Sequence, residues 1–425
     1  MQTPRHLLTF VLFSYIVLAS PLPPEKQARS FKVPRVRRSG YVLDGPVALK
    51  QAYAKFGILP NPIHHDDSDF ILLPAGSGRD ILSKTPEINE NGAVTNSPTE
   101  NDAQYLSPVT IGGQEFIMNL DTGSSDTWVF NTKLDESVTA GHAVFDPTNS
   151  TTFSELEGFY FNITYGDGSF ASGTVGVDTV DIGGATAEEQ AIGLPEIVSQ
   201  SIATDLESDG LVGLGFTKLN TMRPEQQKTF FDNIADKLEE PVFTAQLKAG
   251  EPGSYEFGRI DKTKYTGELV EVPVNATGGF WEIQSSMYVV GENGAIQTVS
   301  CGVNSAIVDT GTTLMLVNEE IAEAYYESVP RAQFSPRAGG YIFPCDTTLP
   351  TFFVSVGDTH LVRIPGKLVN FALVGMDRST GARLCFGGIQ SNMGARIQVW
   401  GDVFLKAIFT VFDRRGPSLK FAGHA

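Results

Sequence analysis

From about residue 95 onward, apolar and polar positions alternate in short runs separated by glycine turns. The run DAQYLSPVTIGGQEFIMNLDTGSSDTWVF, residues 102–130, alternates in part, and Gly112-Gly113 stands where a hairpin turn belongs. GTVGVDTVDIGGATAEEQAIGL repeats the style around Gly183-Gly184. Period-two runs of this length predict antiparallel strands. Helical spacing is rarer. EQQKTFFDNIADKLEEP and NEEIAEAYYESVP place apolar residues three and four apart and predict helices, and GPVALKQAYAKFGI, much earlier, is helix-compatible. The pattern predicts an all-β dominated body with few helices.

The N-terminus departs from this pattern. Arg5 and His6 precede an apolar run, Leu7 to Leu18, broken by Thr9, Ser14 and Tyr15 and followed by Ala19, Ser20 and Pro21. This predicts a secretory signal peptide over residues 1–20. The run is short for a membrane span, and a polar, basic stretch follows it. Residues 21–94 read as a propeptide. They open with Lys26, Arg29, Lys32, Arg35, Arg37 and Arg38, continue through the helix-compatible run, and loosen into Asp, Ser, Gly and Pro around His64-His65. Arg37-Arg38 offers a dibasic processing site. No apolar tail closes the chain, which argues against a glycolipid anchor.

Charge sharpens the division. The net charge is −18, yet the first 92 residues hold 11 Lys and Arg against 8 Asp and Glu, and the remainder 20 against 41. A basic segment ahead of an acidic body suggests a removable, charge-complementary propeptide. The body suits neither nucleic acid nor an anionic membrane. Its acidity serves solubility, or it suits work at low pH where carboxylates protonate. With 425 residues, 41% of them hydrophobic, two lobes are an ordinary outcome. The expected division is 95–285 and 286–425. Three cysteines, Cys301, Cys345 and Cys385, make no disulfide framework, and one bridge plus one free thiol is the simplest arithmetic. No Cys-x-x-Cys spacing points to zinc; no metal or cofactor is expected.

An internal repeat carries the candidate chemistry. Phe116 to Ser125, FIMNLDTGSS, and Ala306 to Thr313, AIVDTGTT, each run an apolar strand into Asp-Thr-Gly and then two hydroxyl residues. Asp121 and Asp309 lie 188 residues apart, a lobe-sized interval. Leu211-Val212-Gly213 and Val399-Trp400-Gly401 form a second pair, each glycine 92 residues after its aspartate. One such triplet reads as an Asx-turn after a strand. Two at matched positions put carboxylates at buried strand ends, an expensive place without a partner.

These residues resemble the pepsin-like aspartic proteases, most closely the secreted fungal aspergillopepsin and penicillopepsin type. The resemblance covers nearly the whole chain from about residue 100. It includes TYGDGS at 164–169, YTGELVEVPV after Asp261, GGIQSN at 387–392 and the ending GDVFLKAIFTVFDRRGPSLKFAGHA. It implies a bilobal β fold with the active site in the cleft between two related lobes. The implied activity is secreted, acid-acting endopeptidase chemistry on protein and peptide substrates, by a monomer. Asp121 and Asp309 would be the catalytic pair, activating a water and protonating the carbonyl oxygen. Like charges that close cannot both ionise easily, so the pair shares a proton and titrates as a unit. Thr122 and Thr310 would tie the two loops together. Gly123 and Gly311 would admit backbone amides, and Ser124 and Thr312 would fix the carboxylate planes.

The same resemblance makes Tyr165 the tyrosine of a closing flap and Trp128 the residue that holds it. Asp167 would favour lysine just before the cut bond by Coulomb attraction, within a broad preference for hydrophobic residues. Cys345 and Cys385 would form the bridge of the C-terminal lobe. Cys301 departs from the closest pattern and is either buried and free or a competitor for pairing. Lys55 matches a propeptide lysine that caps the catalytic pair, making the propeptide an intramolecular inhibitor. Asn149, Asn162 and Asn275 head glycosylation triplets. A non-catalytic member of the fold would lack an aspartate or the tyrosine. A glycosidase also uses two carboxylates but does not require the Asp-Thr-Gly repeat.

Overall fold

The alternating runs fold into five sheets in a computed structural model that describes residues 31–34, 43–59, 70–72, 106–164, 169–206 and 208–425. The fold is mostly β and is that of a bilobal pepsin-like protease. Strands from residues 106–213 make one seven-stranded sheet, with Gln114–Asp121 beside Gly210–Gly213 near one side. Strands from residues 282–400 make three smaller sheets, and Phe70–Leu72 adds an edge to one of them against Asn370–Asp377. A six-stranded sheet combines strands from both halves of the chain, with Val242–Lys248 paired to Phe409–Asp413. Phe31–Pro34 forms its edge, antiparallel to Glu251–Phe257.

The sequence repeat is a structural repeat. Strand Gln114–Asp121 runs parallel to Gly210–Gly213, with Asp121 opposite Gly213. Strand Ser305–Val308 runs parallel to Gln398–Trp400, with Val308 opposite Trp400, so Asp309 follows beside Gly401. In each half a strand that follows the triplet then pairs antiparallel to the second member: Thr127–Val129 with Gly210–Gly213, and Met315–Val317 with Gln398–Trp400. Glycine at 213 has a packing cause, because a Cβ there would lie 2.5 Å from the Ser125 Cα.

Aromatic side chains fill the core between the halves. Phe243 stacks on Phe412 at 4.4 Å, and Trp281 meets Phe412 edge-on at 5.2 Å while its indole N–H donates to Leu214 O at 2.9 Å. Each such ring, fully buried, contributes about 1.5–3 kcal/mol.

The helices at these runs are shorter than periodicity predicts. NEEIAEAYYESVP yields Glu319–Glu327, burying Ile321, Ala322, Tyr325 and Tyr326. EQQKTFFDNIADKLEEP yields only Phe230–Ile234 and a 3-10 turn, Ala235–Lys237. Its front end is held elsewhere: Gln226 Nε2 donates to Lys218 O and Asn220 O, and Gln227 N to Asn220 Oδ1. Thr229 then caps the Asp232 amide at 3.2 Å and starts the helix late. The early run forms Gly45–Lys55, capped by Asp44 on Val47 N. Cys345 and Cys385 are joined in a disulfide. Cys301 is free and exposed, so the expectation of a buried thiol there is corrected. The next residue, Gly302, has a φ of +96°.

Candidate active site

The two parallel strand pairs end at the same place from opposite sides. Asp121 closes Gln114–Asp121, and Asp309 follows Ser305–Val308 directly. Both carboxylates are enclosed, with exposures of 1% and 0%.

The threonines cross between the triplets. Thr122 N donates to Thr310 Oγ1 at 3.1 Å, and Thr310 N to Thr122 Oγ1 at 3.0 Å. Thr122 Oγ1 donates onward to Val308 O at 2.9 Å, and Thr310 Oγ1 to Leu120 O at 2.6 Å. Every polar atom of this link is thus engaged, which matters because Thr122 and Thr310 are buried.

Each carboxylate is held on both oxygens. Gly123 N donates to Asp121 Oδ1 at 2.8 Å and Ser124 Oγ to Asp121 Oδ2 at 2.6 Å. Gly311 N donates to Asp309 Oδ1 at 2.9 Å, and Thr312 Oγ1 to Asp309 Oδ2. A side chain at Gly123 would collide with the opposite carboxylate: its Cβ would lie 2.5 Å from Asp309 Oδ1.

A third group lies between them. Lys55, at the end of Gly45–Lys55, puts Nζ 2.6 Å from Asp121 Oδ1 and 3.0 and 2.8 Å from the two Asp309 oxygens. The helix is docked by Ala48, Leu49, Ala52 and Tyr53, which pack among Leu314, Leu316, Phe386 and Val399. Tyr53 OH donates to Ser391 O at 2.7 Å. Phe56, next along, packs toward Phe280 at 5.9 Å.

The electrostatics follow from this contact. Burial raises the Asp121 carboxyl, but the Lys55 charge and the hydrogen bonds to Asp309, Lys55 and Ser124 outweigh it. Asp121 therefore sits below the usual carboxylate value. For Asp309 burial dominates; with the Asp121 charge it pushes the carboxyl up to about 6 despite Lys55. Burial would lower Lys55, but the two carboxylates hold it above its usual value. Two carboxyls pushed apart in this way are suited to opposite proton roles.

A cavity of about 180 Å³ opens beside the pair. Trp128 lines it, buried, and its indole N–H has no hydrogen-bond acceptor among the described residues. Tyr165 and Asp167 lie outside the described residues. Asn149, Asn162 and Asn275 are exposed. Sequence reasoning missed Asn119, Phe130, Asp205 and Ser208, all of which line the cavity. Asn119 was within reach, since strand alternation puts it on the face of Asp121 two residues on. Asp205 and Ser208 lie in a loop with no periodicity, and only folding brings them to the site.

Comparison with known proteins gives a consistent result. The model of a family described as eukaryotic aspartyl protease matches residues 104–424. A Coccidioides posadasii protein named aspartic protease PEP3 is 59% identical over 416 residues, 98% of this chain and 94% of its own. A putative aspergillopepsin A-like aspartic endopeptidase of Aspergillus fumigatus is 52% identical, over 99% of both chains. Penicillopepsin-1 of Penicillium janthinellum is 44% identical over 79% of this chain and 99% of its own.

Proposed function

The chain belongs to the eukaryotic aspartyl protease family and is an aspartic-type endopeptidase, and from that premise we propose a secreted zymogen whose catalytic pair is Asp121 and Asp309. The observation that carries the proposal is the meeting of two buried, oppositely perturbed carboxylates, held in matched nets, at one point in the cleft. With Lys55 withdrawn, the two carboxyls face each other and one proton is shared. The ionised member takes a proton from water, and the protonated member donates one to the peptide carbonyl. Ser124 and Thr312 fix the outer oxygens, so neither carboxyl rotates out of line.

Residues 1–20 act as signal peptide and 21–94 as propeptide, with Lys55 as its inhibitory contact. The enclosed Lys55 ion pairs support this latch. No helix among the described residues is long and apolar enough to cross a membrane. Tyr165 closes over the substrate and is held by Trp128, whose buried N–H awaits an acceptor. Substrates are cut at acid pH beside hydrophobic residues, and lysine is accepted before the cut bond through Asp167 and Asp205. Asp205 lining the same cavity as Asp121 supports that second acid. Gly123, Gly311 and Thr312 bound the substrate site, and exposed Asn149, Asn162 and Asn275 carry glycans. The enzyme acts as a monomer on proteins and peptides, without nucleic acid or membrane.

The test is casein digestion at acid pH by the processed protein, with and without pepstatin, beside Asp121→Asn and Asp309→Asn. Hydrolysis abolished by pepstatin and by either substitution is expected. Hydrolysis that persists in either variant would falsify the assignment of the pair.

A further inference from the structure

We propose that His142 is a positioning residue for the cleft wall, bracing the segment around residues 200–209 through both ring nitrogens in its doubly protonated state. This rests on the reading of the cavity beside Asp121 as substrate space.

His142 follows the short helix Glu136–Thr139, and its amide donates to Thr139 O at 3.0 Å. Its side chain has 0% exposure and lies flat on Phe130, with ring centroids 3.7 Å apart at 11°. Nδ1 is 3.0 Å from Ser208 O and Nε2 is 3.2 Å from Ala203 O. A carbonyl oxygen only accepts. A neutral imidazole has one N–H and one lone pair, so in this position it leaves one carbonyl facing a lone pair. Only the imidazolium satisfies both. Ala203 also ends the helix Gln200–Ala203, where carbonyls lack intrahelical partners and a cation is favoured.

The charges around the ring fit a cation. Asp209 Oδ1 is 4.0 Å from Nδ1, and that carboxylate also accepts from Ala143 N at 2.9 Å and Ile117 N at 2.8 Å. Asp205 is the other described acid on the braced segment. Asp135 and Glu136, on the side of His142's own helix, are exposed. The strand under the ring, Thr127–Val129, continues into Phe130 without a charge.

The brace reaches the substrate space from behind. Ser201, Ile202, Asp205 and Ser208 line the cavity beside Asp121, and so does Phe130, on which the ring stacks. His142 therefore fixes one wall at two carbonyls and supports its neighbour. A ring that carries both protons closes the brace at Ser208 O and Ala203 O together. A ring with a single proton would release one carbonyl and loosen the wall. The dyad, held by its own hydrogen bonds, is untouched.

The test compares peptides that differ only in the side chain occupying this cavity, phenylalanine or lysine against alanine, using the processed enzyme and His142→Phe. The variant keeps a stacked ring and loses both donors. We expect KM for the phenylalanine and lysine peptides to rise about tenfold, the value of one charge-assisted hydrogen bond, with kcat little changed and the alanine peptide unaffected. Equal changes for all three peptides, or a fall in kcat with KM unmoved, would overturn the brace. Should the variant not fold, nitrogen-15 labelling of histidine in the wild type at pH 5 decides. Two solvent-protected ring N–H protons on His142 support the brace, and fast exchange at either nitrogen refutes it. A wild type that cleaves none of the peptides refutes the assigned site instead.

Discussion

Replacing Lys55 by methionine tests the latch directly. Methionine keeps the length and apolar stem, and Ala48, Leu49, Ala52 and Tyr53 still dock the helix. What is lost is one ammonium with contacts of 2.6, 3.0 and 2.8 Å to two carboxylates that are almost wholly enclosed. Removing one side of a buried ion pair costs about 3–5 kcal/mol. At 1.4 kcal/mol per factor of ten, the opening equilibrium at neutral pH shifts by roughly two to three and a half powers of ten. The pH dependence has a definite sign. Asp121 is held below its ordinary 3.8, so its contribution to the closed zymogen is full above that value and is lost as pH falls through the lowered one. Asp309, pushed up to about 6, holds a proton below that pH, so its protonation relieves a penalty and does not open the latch. Wild-type release is therefore tied to acid below the ordinary carboxylate range. Without Lys55, Asp121 loses its main lowering influence and release should begin at a higher pH. The assay is self-processing of the purified zymogen across pH 3 to 7, followed by gel and by N-terminal sequencing, with thermal unfolding alongside. The stability gap between wild type and variant should be large at pH 7 and shrink as pH falls below the ordinary carboxylate value of 3.8. An unchanged onset of processing, or a gap that does not depend on pH, would refute the latch.

Other consequences can be checked more simply. Thr310→Val removes the Oγ1 that bonds Leu120 O and Thr122 N, and should cost about 1–3 kcal/mol of stability and most of kcat, read by denaturant melts and peptide kinetics. Cys345→Ser opens a bridge spanning 40 residues and should cost about 2–4 kcal/mol without moving KM. Asp205→Ser should weaken cleavage after lysine several-fold more than cleavage after phenylalanine; equal losses would remove Asp205 from substrate selection. Asp167→Ser, compared in the same way, separates the two acids.

Much of this was legible in the chain because it depends on local pattern. Alternation around Gly112-Gly113 and Gly183-Gly184 marks hairpins, since strand period and turn chemistry are local properties. The repeated triplets and the matching glycines at 213 and 401 are legible because two related halves solve the same packing problem twice. The extent of the helix at 225–241 was not, because Asn220, outside the window, takes over its front end.

By itself, then, the sequence determined that two carboxylates stand at the ends of two similar buried strands, with a basic segment ahead of an acidic body. Only the tertiary structure set the distances at which one ammonium lies between those carboxylates, and the balance by which Lys55 holds Asp121 below its ordinary value while burial holds Asp309 above. It alone set Asp205 and Ser208 beside them, and turned both nitrogens of His142 toward carbonyls. The physical reason is that ion pairs and shared cavities depend on distances of a few ångström between residues tens to hundreds of positions apart. Local propensity does not encode such distances; packing of the two halves sets them.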